Sequence, residues 1–262
     1  MKFQSFIYIF FLIVISACSS ENEENDNSET VDTVAVIEES IPQIDKTKPS
    51  DSIADLFAGN WISSYYLKKI KDSASIYLNR NYESSLLGFK LDKEGVATGD
   101  AWIITNSTNN QTSDRPIRWN YDDSSFVSLD SPTIKIYINR PGSIIYQYSN
   151  GNKAYFRKVR DRESALRKTL FSGTYTNDEG KEFIFNTDGT VKGFKGKEHY
   201  SLLNNFSEEL EFDAVFISSN KDRDNELIYH YEISGDTLRL YDLAGMYPEM
   251  GIGAVAHELI KK

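Results

Sequence analysis

Apolar and polar residues alternate with a period of two through most of the chain after residue 51, the pattern of half-buried strands. Ile134, Ile136 and Ile138 share one face, with Lys135 and Tyr137 on the other. Arg140-Pro141-Gly142-Ser143 turns the chain, after which Ile144, Tyr146 and Tyr148 alternate with Ile145 and Gln147. Asn150-Gly151, where both residues tolerate positive φ, predicts a tight hairpin before Ala154-Tyr155-Phe156 runs back. The same grammar returns later. Phe183 and Phe185 lead into Asp188-Gly189, and Leu210, Phe212, Ala214 and Phe216 form one strand face. Leu227, Tyr229, Tyr231 and Ile233 run to Ser234-Gly235-Asp236, and Leu238 and Leu240 return. Helical period is confined to two short stretches, Ser52 to Phe57 and Arg162 to Leu170. The pattern predicts an all-β body of antiparallel hairpins.

Those two helical stretches mark an internal repeat. Leu56-Phe57-Ala58-Gly59-Asn60-Trp61 echoes Leu170-Phe171-Ser172-Gly173-Thr174-Tyr175. Each is followed by an apolar strand and an acid-Gly turn, Glu94-Gly95 in one copy and Asp188-Gly189 in the other. The copies end in similar strands, Ala154 to Val159 and Ala256 to Lys261. A short helix, then Gly-x-Trp opening the first strand of a hairpin meander, resembles the lipocalin-like families of bacterial lipoproteins. The resemblance implies two consecutive small antiparallel β-barrel modules, 51–160 and 161–262, with Trp61 plugging the end of the first. Tyr175 stands where the second copy would carry its Trp. Each half is short for a full eight-stranded barrel, so the expectation is a smaller or partly open one.

The N-terminus breaks the pattern. An apolar run from Phe6 to Ile15 follows a lone positive charge at Lys2, the outline of a secretory signal peptide. It is far short of the roughly 20 residues that span a bilayer. Ile15-Ser16-Ala17-Cys18 resembles the lipobox of bacterial lipoproteins, which implies cleavage after residue 17 and acylation of Cys18. The partner implied is a lipid bilayer, and the expected location is the outer membrane. Residues 18–50 then read as a disordered acidic tether. The cluster Ser19-Ser20-Glu21-Asn22-Glu23-Glu24 resembles a surface-export signal, so both the cell surface and the periplasmic face stay open as destinations.

Charge sharpens this division. The chain carries 39 acidic and 29 basic residues, a net charge of −10. Residues 18–51 hold ten of the acids against Lys46 and Lys48, and Lys2 belongs to the leader, leaving 29 acids and 26 bases from residue 52 on. A body so near neutral offers no overall field for nucleic acid or anionic lipid. Cys18 is the only cysteine, so no disulfide supports the fold. Aromatic residues make up 13 % of the chain, which favours strands.

Candidate chemistry is sparse. The sequence holds no His-Glu-x-x-His and no Gly-x-Ser-x-Gly. Residues 220–231 alternate oxygen-bearing side chains but put Asn225 and Tyr231 where a calcium loop needs Gly and Glu. His199, His230 and His257 have no metal-ligand spacing, and no cofactor is expected. Trp61, Trp102 and Trp119, with Tyr146 and Tyr148, are the candidate ligand-lining residues, whose alternative role is to fill a barrel. The expectation is a non-catalytic binding module for a small apolar ligand or an envelope protein. The alternatives are a structural or assembly subunit of an envelope complex, and a hydrolase.

Overall fold

In a computed structural model, the structure describes residues 45–82, 86–106, 112–204, 206, 210–222, 224–245 and 250–262. The signal segment, Cys18 and nearly all of the tether lie outside the described residues. Residues 44–262 form one compact unit.

The alternating pattern folds as expected into antiparallel strands. A short helix α1 (Asp51–Phe57) leads into β1 (Gly59–Ser63), which is followed by helix α2 (Ser64–Ser73) and a 3-10 turn at Tyr77–Asn79. Then come β2 (Gly88–Leu91), helix α3 (Lys93–Thr98), β3 (Asp100–Asn106), β4 (Thr112–Asn120), β5 (Ser125–Ser128), β6 (Lys135–Arg140), β7 (Ser143–Gln147) and β8 (Lys153–Val159). Each strand pairs with the next, and β8 returns to pair with β1, so the eight strands close a barrel. Helix α4 (Arg162–Leu170) then opens a second meander. It comprises β9 (Gly173–Thr176), β10 (Glu182–Phe185), β11 (Val191–Lys192), β12 (His199–Leu202), β13 (Ala214–Ser218), β14 (Leu227–Ser234), β15 (Thr237–Ala244) and β16 (Gly251–Lys261). Here too the last strand pairs with the first, and the edges β11 and β12 meet at one bridge, Thr190 to His199, leaving this barrel nearly closed.

Both halves therefore reach eight strands: the first closes fully where a smaller or partly open barrel was expected, and the second stays partly open between β11 and β12, as that expectation allowed. Short strands make room for them: β2, β5, β9, β10 and β12 have four residues each. The predicted turns sit where the pattern put them. Gly142 and Gly151 both take positive φ, and Ser234 pairs directly with Thr237 across Gly235-Asp236. One predicted turn is instead helical. Glu94-Gly95 lies inside α3, whose N-terminus is capped by the Asp92 carboxylate accepting from the amides of Glu94 and Gly95.

The repeat has a common geometry at each barrel entrance. Trp61 donates its indole N–H to the carbonyl of Phe57 at 2.8 Å, and Tyr175 donates its hydroxyl to the carbonyl of Phe171, also at 2.8 Å. Gly59 (φ +121°) and Gly173 (φ +152°) open the two first strands in conformations L side chains rarely adopt. Trp61 is in register with Lys158 of β8, and Tyr175 with Lys261 of β16. Each lysine nitrogen lies over its aromatic partner, at 5.6 and 5.7 Å from the ring centroid.

The strands segregate by half, but the core does not. The first barrel encloses Phe57, Trp61, Phe89, Trp119, Phe126, Tyr146 and Phe156 among its buried residues. The core of the second includes Phe171, Tyr175, Phe183, Phe185, Tyr231 and Leu259, and it also takes in Tyr66, Leu67 and Ile70 of α2 with Ile76 beyond it. Helix α2, an excursion from between two strands of the first barrel, thus spends its apolar face on the second.

Candidate functional site

Sequence pointed to five aromatic residues, and the structure does not bring them to one open cavity. Trp61 is 2 % exposed and stacks on Phe89. Trp119 is buried in the same core, edge-on to Phe57 and Phe126. Tyr146 is buried too, with Tyr148 edge-on at 4.9 Å, and its hydroxyl accepts from Arg115 Nη1 at 3.1 Å. Trp102, between buried Ala101 and Ile103 on β3, is 55 % exposed on the outer face. Of the histidines, His230 sits on β14 with Nδ1 2.8 Å from the Asp213 carbonyl. His257 on β16 packs against Phe183, Phe194 and Tyr229, and burial pulls its pKa below the ordinary 6.5.

The concave feature that does emerge is a groove of about 950 Å³, walled by α2, the end of β8 and α4. Each wall follows from its sequence. Ser63 caps α2 by accepting from the Tyr66 amide at 3.2 Å. Burying Tyr66 and Ile70 then turns Lys68 and Lys71 outward. On β8 the alternation that buries Phe156 leaves Arg157 on the outer face, while Lys158, on the same face as Phe156, lies exposed over Trp61 at the strand's end, with Arg160 just beyond. Asp161 caps α4, accepting from the Ser164 amide at 2.5 Å, and burial of Leu166 and Leu170 leaves Lys168 facing out.

The result is a concentration of positive charge. Besides the two lysines of α2, the lining includes Arg157, Lys158 and Arg160, then Lys168, and Lys261 from the end of β16. The lining contains no carboxylate. Two of the seven cations are partly neutralised from outside it, Lys68 by Asp72 and Arg160 by Asp161 at 2.8 Å. Lys158 donates to the backbone carbonyl of Asp55 at 2.8 Å. Lys71, Arg157 and Lys168 have no ion pair among the described residues. The lining also includes Leu67 and Ala165, both almost wholly buried, and half-buried Val159. The hydroxyls of Ser164 and Thr169 donate back to the carbonyls of Asp161 and Ala165 at 3.0 and 2.8 Å.

A buried carboxylate holds the α2 side of this groove in place. Asp213, 8 % exposed and just before β13, accepts from the amides of Ile76 and Tyr77 at 2.8 Å each. It also accepts from the Ser75 hydroxyl and from Tyr231 Oη at 3.2 Å. Burial, reinforced by the Asp213 charge, pushes the Tyr231 phenol well above 10.

Sequence reasoning missed the groove because it summed charge over the whole body. A local signal was present. Residues 157–168 hold six bases against Asp161 and Glu163, and Lys68, Lys69 and Lys71 cluster on a ten-residue helix. Only the fold shows that the two clusters face one another. No protein-family model matches this chain, and neither curated proteins nor solved structures give a match.

Proposed function

We propose that this chain is a lipid-anchored envelope protein whose two-barrel body binds an anionic ligand, without catalysis, in the basic groove. One observation carries the binding reading: seven cations and no carboxylate line a concavity on a protein whose net charge is −10. Clustering like charges is unfavourable for the fold itself, so a group in which Lys71, Arg157 and Lys168 have no ion pair among the described residues is accounted for by a partner that supplies the opposite charge. The groove's volume falls in the range of about 300–1,000 Å³ usual for small-molecule sites. Its side chains offer charge and hydrogen-bond donors, a binding rather than a proton-transfer repertoire.

The anchor reading rests on the Ile15-Ser16-Ala17-Cys18 resemblance. Among the described residues no helix is long and apolar enough to cross a membrane. Acyl chains on Cys18 would hold the body at the surface of the bilayer, with the acidic segment between.

Calorimetric titration with tripolyphosphate tests the binding reading. The full chain should bind, and affinity should fall steeply with added salt. The variant Lys71→Glu/Arg157→Glu/Lys168→Glu should lose binding. All three residues are solvent-exposed, so circular dichroism should show an unchanged fold. Equal binding by this variant and by the wild type would overturn the proposal.

A further inference from the structure

Away from the groove, we infer that two copies of this chain pair edge to edge through β16. That strand is eleven residues long, but its neighbour β9 has four, and the two pair only at Ile260 with Thr176 and Lys261 with Tyr175. On its other side β16 pairs with β15 from Gly251 to Ile260. Residues 251–259 therefore turn one side of their backbone to no strand among the described residues. Alternate residues of such a strand aim their N–H and C=O groups at the open side, a ready template for another strand. Beside this edge a notch of about 340 Å³ leaves room, with Thr176, Asn177 and Asp178 on one wall and Val255 to Glu258 on the other.

The edge lacks most of the usual guards. Exposed edges are blunted by lysine, proline or inward-pointing charges, and Gly251 to Ala256 contains no charged residue and no proline. Two register shifts against β15, a device that can turn an edge aside, here set Val255 opposite Tyr241 and Ile252 opposite Leu243. Tyr241 and Leu243 alternate along β15 with buried Leu238 and Leu240, so Val255 and Ile252 share the outer face. They are 49 % and 50 % exposed, an apolar pair on the open strand.

The occupant is a second copy because the segment is complementary to itself. An antiparallel pair about a two-fold axis near Ala254 sets Ile252 and Val255 of one copy against Val255 and Ile252 of the other. Glycine or alanine fills the positions between, and no like charges are opposed because the segment has none. A foreign strand is commonly selected by charge, and Gly251 to Ala256 offers none to select it. Two-fold pairing also uses up the edge, so assembly stops at the dimer. The interface is short and its association correspondingly weak. Anchoring through Cys18, as proposed above, would hold the copies in one plane and raise their effective concentration.

Analytical ultracentrifugation of the full chain carrying Cys18→Ser, which removes any intermolecular disulfide, tests this from about 1 μM to about 1 mM. Sedimentation should pass from monomer to dimer with rising concentration, and backbone amides of 251–258 should exchange more slowly at the high end. Val255→Lys removes an apolar cross-strand pair from each copy and adds like charges, so dimerisation should weaken at least about tenfold. Leu129→Lys, at an equally exposed position after β5, should dimerise as the wild type does. Both substitutions are on the surface, so circular dichroism should show an unchanged fold. A monomer throughout the range would overturn the inference, as would growth beyond the dimer. So would a dimer that survives Val255→Lys or leaves exchange in 251–258 unchanged. Each of these outcomes leaves anion binding in the groove to be decided separately by the tripolyphosphate titration.

Discussion

Trp61 and Tyr175 occupy equivalent places, each hydrogen-bonded to the carbonyl four residues back and each covered by a lysine of the closing strand. Replacing the larger by Ala should leave a void beside Phe89 and orphan the Phe57 carbonyl, a loss of about 3–5 kcal/mol. For a unit of this size each kcal/mol moves the melting temperature by about 2–4 °C, so Trp61→Ala should melt at least about 6 °C lower by circular dichroism. A shift under about 2 °C would remove Trp61 from its structural role. Tyr175 makes a second test, through pH. Burial pushes its phenol up from 10 to about 12, and the Tyr200 and Tyr231 phenols rise for the same reason. The folded state favours the neutral phenol, so this contribution is whole below pH 10 and is lost between about pH 10 and 12 as the unfolded chain ionises first. Urea midpoints should be level from pH 8 to 9.5 and fall beyond pH 10, and Tyr175→Phe should fall less steeply. At this scale the sequence was readable: Gly-x-aromatic marked both entrances, because only a few residues fit a positive φ followed by a buried ring. The lysine partners were not, since they lie about a hundred residues away and are fixed by register.

The elements that link the halves are α2 and the segment after it. Strands and hairpin turns were legible because alternation and Gly-containing turns are local properties. The ends of α1 and α4 were also close to the helical stretches read from the sequence. Helix α2 escaped notice because its apolar positions, Tyr66, Leu67 and Ile70, are few and set among lysines. Its stability comes from packing against the second core, a contact that no local window contains. Asp213 fastens that contact through two backbone amides and two hydroxyls. Asp213→Ala would strand all four donors in a buried site, at about 1–3 kcal/mol for each left unsatisfied. The variant should unfold at a lower urea concentration, and backbone amides of 66–77 should exchange faster by mass spectrometry. Because α2 forms a wall of the groove, it should also bind tripolyphosphate more weakly. Unchanged exchange in α2 would show that the carboxylate does not secure it. Asn at the same position keeps an acceptor for the two amides and should show a milder loss.

On the scale of the whole molecule, charge is segregated rather than absent. Most of the net negative charge lies in residues 18–51, ten acids against two lysines, while basic residues from four separate elements converge on one groove. Summation over the body hides that convergence, and its place between α2, β8 and α4 follows only from how the two barrels share a core. At the other end of the chain, Cys18→Ser should move the protein from the membrane fraction to the soluble fraction after a high-salt wash. Retention in the membrane would contradict the anchor. The central claim, that the groove is where an anion binds, is tested most directly by mapping lysine reactivity. The full chain is acetylated briefly with and without saturating tripolyphosphate, and each lysine is quantified by mass spectrometry. Lys68, Lys71, Lys158, Lys168 and Lys261 should be protected together, while exposed Lys90, Lys192 and Lys195 should react at unchanged rates. Uniform protection of all lysines, or protection that spares the groove, would contradict the account.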